Sequence, residues 1–364
     1  MPDRTENTKP DLPKQFIFRG DNRVDQLRIA ELPCPPIWRQ FSESARMARG
    51  SDYQAALNEI EMVNAALYLR RPLLVTGKPG SGKSTLAYAA AYELGLGDVL
   101  VWPITTRSTL QQGLYNYDAI ARLQDASLES RENGESEPRR APDIGRYIRL
   151  GPLGTALLGG EALHTRSVIQ DETPRDRILR RPRVLLIDEI DKSDVDLPND
   201  LLNVFEEGEF EIPELSRLPE EPGFEEVEVA TFNAASKARI RRGVVRCEEF
   251  PLVILTSNGE REFPPAFLRR CLRLQVEPPT KEQLETIVRE RIDPPSQFAS
   301  DIEELLQQFV DLRDRERKEM ATDQLLNAVF MVVKEINPLR REDLKKALLQ
   351  SLTESLPSNP TAPF

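Results

Sequence analysis

Residues 73–85 read Leu-Leu-Val-Thr-Gly-Lys-Pro-Gly-Ser-Gly-Lys-Ser-Thr, and their order decides the fold. A short apolar run, the pattern of a buried strand, stops at a glycine-rich stretch. An alanine-rich segment running through Leu94 follows and reads as a helix. Gly77 and Gly82 bracket four residues, and Lys83 and Ser84 come next, which is the Walker A spacing. Glycines at Gly77, Gly80 and Gly82 let the backbone wrap with its N–H groups turned inward, and Pro79 stiffens the turn. The helix behind adds the positive end of its dipole. The segment Gly77, Lys78, Pro79, Gly80, Ser81, Gly82, Lys83, Ser84 and Thr85 is therefore expected to cradle the phosphates of ATP. Lys83 is expected to reach the β- and γ-phosphates, and the Ser84 hydroxyl to coordinate Mg²⁺.

Outward from this loop, apolar runs and helical stretches alternate. Val99–Trp102, Val184–Ile190, Pro251–Asn258 and Cys271–Val276 read as strands, most of them apolar throughout. Buried strands separated by helices imply a parallel sheet covered on both faces. Before the loop, a helix is expected from Ser51, with Tyr53, Ala56, Leu57, Ile60, Val63, Asn64 and Leu67 on its inner face. Residues 119–148 are polar, with the stretch RENGESEPRR (131–140) as a loop tip, and residues 214–250 are charged and loop-like with room for a hairpin. After Thr280, a helix cap, only helical patterns occur: residues 281–292, 302–318, 322–336 and 341–356. The expected organisation is a partly disordered arm (1–40), an αβα core (41–280), and a smaller all-α lid with its tail (281–364).

The run Leu185-Leu186-Ile187-Asp188-Glu189 ends an apolar strand in two acids. At that place Asp188 can hold Mg²⁺, mostly through water, and Glu189 can polarise an attacking water. Asp191, close behind, reads as a helix-capping or interface acid. Asn258 closes the next buried strand and can orient the same water; Thr256 or Ser257 could do similar polar work. Arg269 and Arg270 follow a short helix. A guanidinium is always charged and suits γ-phosphate oxygens, so this pair, Arg270 before Arg269, is the candidate arginine finger.

Composition narrows the alternatives. The chain has 364 residues, 39% hydrophobic and 30% charged, which suits a globular protein. No run of 18 apolar residues marks a membrane span, and the polar start MPDRTENTKPDLPK has no signal-peptide core, so the expected location is cytoplasmic. Cys34, Cys247 and Cys271 lie far apart, which disfavours a disulfide framework or a zinc site. The one histidine, His164, leaves little material for Ser-His or Cys-His catalysis. With 49 basic and 60 acidic residues the net charge is −11. The basic clusters at 180–183, 239–242 and 269–273 are short and interleaved with acids, which disfavours nucleic acid as the partner.

Taken together, the glycine-rich loop, acidic strand, Asn strand, arginine pair and helical lid resemble the AAA+ superfamily of P-loop NTPases over about residues 45–355. Within it, TGKPGSGKST, LLIDEIDKSDVDLPNDLLNVFEEGEFEIPEL and VILTSNGEREFPPAFLRRC are most similar to the MoxR-like ATPases. Residues 119–175 and 210–245 are long enough to hold the insertions of that group. The resemblance implies a homo-oligomeric ring, commonly a hexamer, with ATP at subunit interfaces. It also implies chaperone-like remodelling of a separate protein, in many cases one with a von Willebrand factor A domain. A nucleotide-gated assembly switch and a nucleic-acid motor subunit are the other readings. One departure stands out. Many members carry an arginine near the start of a lid helix, whereas Ala321-Thr322-Asp323 has none; Arg317, Arg340 or Arg341 would have to substitute, or lid sensing is weakened.

Overall fold

The computed structural model describes residues 15–21, 24, 27–40, 50–132, 144–159, 162–166, 176–219, 225–233, 237–247 and 249–351. The described chain divides into two compact units, one of residues 47–78 and 82–276, the other of residues 1–46, 79–81 and 277–364.

In chain order the larger unit contains α1 (Leu57–Leu69), β1 (Leu73–Thr76), α2 (Lys83–Glu93), β2 (Leu100–Pro103), α3 (Leu110–Leu114), β3 (Tyr115–Tyr117), α4 (Ala119–Glu132), β4 (Ile148–Leu150), α5 (Pro152–Leu157), β5 (Ala162–Arg166) and β6 (Asp176–Arg180). It continues with β7 (Val184–Asp188), α6 (Leu197–Glu207), β8 (Glu209–Glu211), α7 (Pro213–Ser216), β9 (Glu226–Ala230), β10 (Lys237–Arg241), β11 (Val244–Arg246), β12 (Leu252–Ser257), α8 (Pro265–Arg270) and β13 (Leu272–Gln275).

Five strands form a parallel sheet in the order β13-β1-β12-β7-β2. Along each strand successive side chains enter opposite faces, so Leu73, Val75, Leu186 and Ile254 feed one apolar core while Leu74, Leu185, Ile187 and Leu255 feed the other. Both faces are covered, which is why these strands are apolar throughout rather than alternating. Each fully buried Leu or Ile contributes about 1.5–3 kcal/mol over leaving it in water. The chain thus has the P-loop NTPase α/β architecture, with helices following in its C-terminal part.

The sheet order fixes where the chemistry sits. β1, β12 and β7 are neighbours, and in a parallel sheet their C-terminal ends lie side by side. The loops after Thr76, Asp188 and Ser257 therefore emerge at one edge.

Three expectations are corrected. The first helix begins at Leu57 rather than Ser51, and its inner face is Glu59, Val63 and Ala66, while Leu57 and Ile60 are exposed. The cause is Glu59, whose carboxylate turns inward to accept from Ala56 N (2.9 Å) and Tyr53 Oη (3.1 Å), setting the helix phase. The loop tip expected at 131–140 starts late: the polar stretch before it is helical over 119–132, a helix that begins where the Asp118 carboxylate accepts from Ala121 N (2.8 Å). The expected loop tip falls mostly outside the described residues, as do residues 1–14 and the tail beyond 351.

The third correction is a whole second sheet, of which the sequence suggested only a hairpin within residues 214–250. Six short strands pair in the order β3-β4-β9-β10-β11-β8, with β9 and β10 as an antiparallel hairpin. Each strand is three to five residues long, and several carry charge on their exposed side. Their partners come from segments far apart in the chain, such as Tyr115 opposite Leu150 and Val245 opposite Phe210. A separate hairpin joins β5 and β6.

The smaller unit packs α9 (Lys281–Ile292), α10 (Ala299–Val310), α11 (Thr322–Val333) and α12 (Glu342–Leu348) around Leu284, Leu305, Phe309, Leu325 and Val329. Thr280 caps α9 as expected, accepting from Gln283 N (3.3 Å) while Gln283 Oε1 accepts from Thr280 N (2.8 Å). α10 and α12 are shorter than the sequence pattern suggests: α10 gives way to a π-helical turn at Asp311–Arg315, and α12 closes at Leu348. The arm is irregular, and Trp38 anchors it by donating from Nε1 to Asn327 Oδ1 (3.0 Å) with its ring edge-on to Phe330. Pro79–Ser81 group with this unit, and there the Thr322 hydroxyl donates to Gly80 O (2.9 Å).

Candidate nucleotide site

Helix α2 starts immediately behind the glycine-rich loop, and its cap residue Gly82 has φ +92°. A β-carbon there would strain the backbone and press on the Tyr53 ring at 3.2 Å, so glycine is needed twice over. No side chain caps this helix, which leaves its first N–H groups open to an anion. In the same loop Ser81 Oγ is buried with no hydrogen-bond partner among the described residues.

Lys83 is 7% exposed, and its ammonium donates to Gly77 O and Lys78 O, both at 2.8 Å. Burial pulls its pKa down, while Asp191, Asp188 and Glu189 oppose that pull. The loop thus encloses the Lys83 amine, with three acidic side chains near enough to act on it.

Ser84 Oγ donates to Asp188 Oδ1 at 2.7 Å, joining positions 104 residues apart. The same carboxylate oxygen accepts from Thr256 Oγ1 at 2.7 Å, and Thr256 Oγ1 in turn accepts from Glu189 N at 2.9 Å. Thr256 is 1% exposed. One hydroxyl thereby ties β12 to both acids at the end of β7. Glu189 itself sits at φ +60°, and its carboxylate pairs with Lys192 at 2.6 Å. Asp191 is buried and accepts from Asn258 N (2.8 Å) and Glu260 N (3.2 Å).

The structure therefore brings Lys83, Ser84, Asp188, Glu189, Thr256 and Asn258 to one sheet edge. The arginine pair ends α8, where Arg71 Nε donates to Arg270 O (3.0 Å) and another Arg71 nitrogen to Arg269 O. The Arg270 side chain pairs with Glu206, and Arg269 is exposed. Of the residues bearing on the site, the Lys192 partnership went unread, although its spacing of three from Glu189 was available. Asp191, in sequence a helix-capping or interface acid, instead holds the turn after β12 through backbone amides that no sequence displays.

A family model for the AAA domain of the dynein-related subfamily matches residues 72–271. That match covers more than half of the chain, from the first sheet strand through the arginine pair. The chain belongs to the AAA family. No curated protein matches it. The AAA match runs from just before β1 to the end of α8, so it takes in four of the five strands of the parallel sheet and stops just before β13. Nucleotide binding is the shared property of such ATPase domains. Among the described residues no helix of this AAA protein is long and apolar enough to cross a membrane.

The residues present also fit a Mg²⁺ ion. Ser84 Oγ and Asp188 Oδ1 are adjacent oxygen donors, the kind that a hard cation prefers. No cluster of three or more His, Cys, Asp or Glu suited to a metal occurs among the described residues. That does not count against Mg²⁺, which is normally held by one or two protein oxygens together with water and substrate phosphates.

Proposed function

We propose that this AAA protein is a MoxR-like ATP hydrolase that works as a homo-oligomeric ring, a hexamer in the favoured form, to remodel or activate a separate protein. The observation that carries the hydrolysis reading is the chain Ser84–Asp188–Thr256–Glu189 N, which ties the Ser84 hydroxyl and the Asp188 carboxylate to the backbone of Glu189. In this reading the amides of Gly80–Ser84 and the Lys83 ammonium hold the ATP phosphates. Ser84 and Asp188 hold Mg²⁺, which supplies charge neutralisation at the phosphate oxygens. Glu189 takes a proton from the attacking water, and Asn258 orients that water. Arg270, with Arg269 as second choice, reaches the γ-phosphate of a neighbouring subunit. A client partner, in the MoxR manner one with a von Willebrand factor A domain, would receive the conformational work.

A second reading, a nucleotide-gated assembly switch with slow turnover, draws on the resting ion pairs. Glu189 is held by Lys192 and Arg270 by Glu206, so neither side chain is free in this state. Mg-ATP turnover, measured against protein concentration for wild type and Glu189→Gln, separates the two. The remodeller requires turnover that rises with assembly and disappears in the variant. Negligible wild-type turnover in the presence of partners captured by Glu189→Gln would leave the switch. DNA-stimulated, salt-sensitive turnover would instead promote the motor reading.

A further inference from the structure

Asp191 is 5% exposed and carries no role in the scheme above. Its Oδ2 accepts from two backbone amides of the turn after β12, Asn258 N at 2.8 Å and Glu260 N at 3.2 Å. Its Oδ1 is buried with no hydrogen-bond partner among the described residues. A carboxylate so deeply placed is costly unless something uses its charge or its geometry. The geometry joins the turn that follows Glu189 to the turn that begins at Asn258, so the two strand ends are locked to each other by a side chain rather than by the sheet.

We propose that Asp191 is a positioning residue that sets the backbone of the Asn258 turn, and so aims the Asn258 side chain at the reacting water. The inference rests on the reading of Asn258 given above. On the β7 side no sheet hydrogen bond does this work, since the β12 pairing with β7 stops at Leu255 opposite Ile187, while the pairing with β1 runs on to Ser257 opposite Thr76 and ends before Asn258. Beyond that point Thr256 holds Glu189 N, and Asp191 holds Asn258 N. The two side chains act as reciprocal struts across the strand ends.

The test uses the full chain with Asp191→Ala, Asp191→Asn, Asn258→Ala and the double variant Asp191→Ala/Asn258→Ala. Hydrogen exchange resolved to single amides is expected to show faster exchange at Asn258 and Glu260 in Asp191→Ala, by about tenfold or more, with residues 252–255 unchanged. ATP affinity is expected to stay within about threefold, while kcat falls about 10²-fold, the cost of a misplaced group. Because both changes act through one side chain, the double variant should match Asn258→Ala within about twofold. Asp191→Asn keeps an oxygen acceptor for both amides and should hold the exchange pattern and most of the kcat, so it also serves if Asp191→Ala fails to fold. Unchanged exchange at Asn258 and Glu260, uniform loosening of all of β12, independent multiplication of the two kcat losses, or the loss of turn protection in Asp191→Asn would each overturn the proposal. If wild type binds ATP without hydrolysing it, the proposed function falls, while the exchange comparison still decides the role of Asp191.

Discussion

Lys192 Nζ lies 2.6 Å from Glu189 Oε2, so the acid proposed to activate water is held by a cation three residues along. The bond raises the affinity of Lys192 for its proton. Both side chains are about two-fifths exposed, at 42% and 41%. An exposed pair of this kind is worth roughly 0–1 kcal/mol, little enough that Glu189 can leave it without a large barrier. Lys192→Ala is therefore expected to change kcat by less than about fivefold, the factor that 1 kcal/mol represents. Glu189→Gln should instead remove turnover, by about 10² or more, with ATP binding intact. Steady-state ATPase rates and equilibrium nucleotide titration check both; a Lys192→Ala enzyme as inactive as Glu189→Gln would contradict the weak-restraint view.

Lys83 is the one buried cation of the glycine-rich loop, and its two present acceptors are carbonyls of that same loop. Lys83→Ala should abolish nucleotide binding or turnover. Calorimetric titration with ATP reads this directly, and a variant with wild-type affinity and rate would remove the phosphate-binding assignment.

Thr256 can be tested with a near-isosteric change. Thr256→Val keeps the volume of the side chain but leaves Glu189 N without its acceptor and Asp188 Oδ1 without one donor. An unsatisfied buried donor costs about 1–3 kcal/mol, so denaturant unfolding should show a loss of that size. The kcat should also fall, by about tenfold or more, because Glu189 loses its backbone anchor. Full stability together with full activity would show that the bridge is idle.

Arg270→Ala is expected to spare ATP binding and to cut hydrolysis by about 10³, in line with other arginine fingers. If the arginine acts on a neighbour, doping Arg270→Ala into wild-type assemblies should poison more active sites than the fraction of variant added. A concentration-independent monomer turning over ATP at the full rate would rule out any finger in trans. Glu206→Gln frees the Arg270 side chain from its present partner and should leave turnover undiminished.

The sequence by itself determined the phosphate loop, the acidic strand and the parallel α/β core. Each rests on local information: glycines at fixed spacing, apolar runs of strand length, acids at the end of one such run. Helix α9 was equally legible, because Thr280 and Gln283 form a cap within four residues. What only the tertiary structure decided depends on partners far away in the chain. Of the six-stranded sheet only the local β9–β10 hairpin was foreshadowed, within residues 214–250; the other strands are short and several pair across long separations, as Tyr115 does with Leu150. The phase of α1 turned on a buried Glu59, which a hydrophobic pattern reads as surface. Thr256 and Asp191 became specific only when the sheet set β12 beside β7. A hydrogen bond to a backbone amide leaves no mark in composition or spacing, and only folding reveals which amide is within reach.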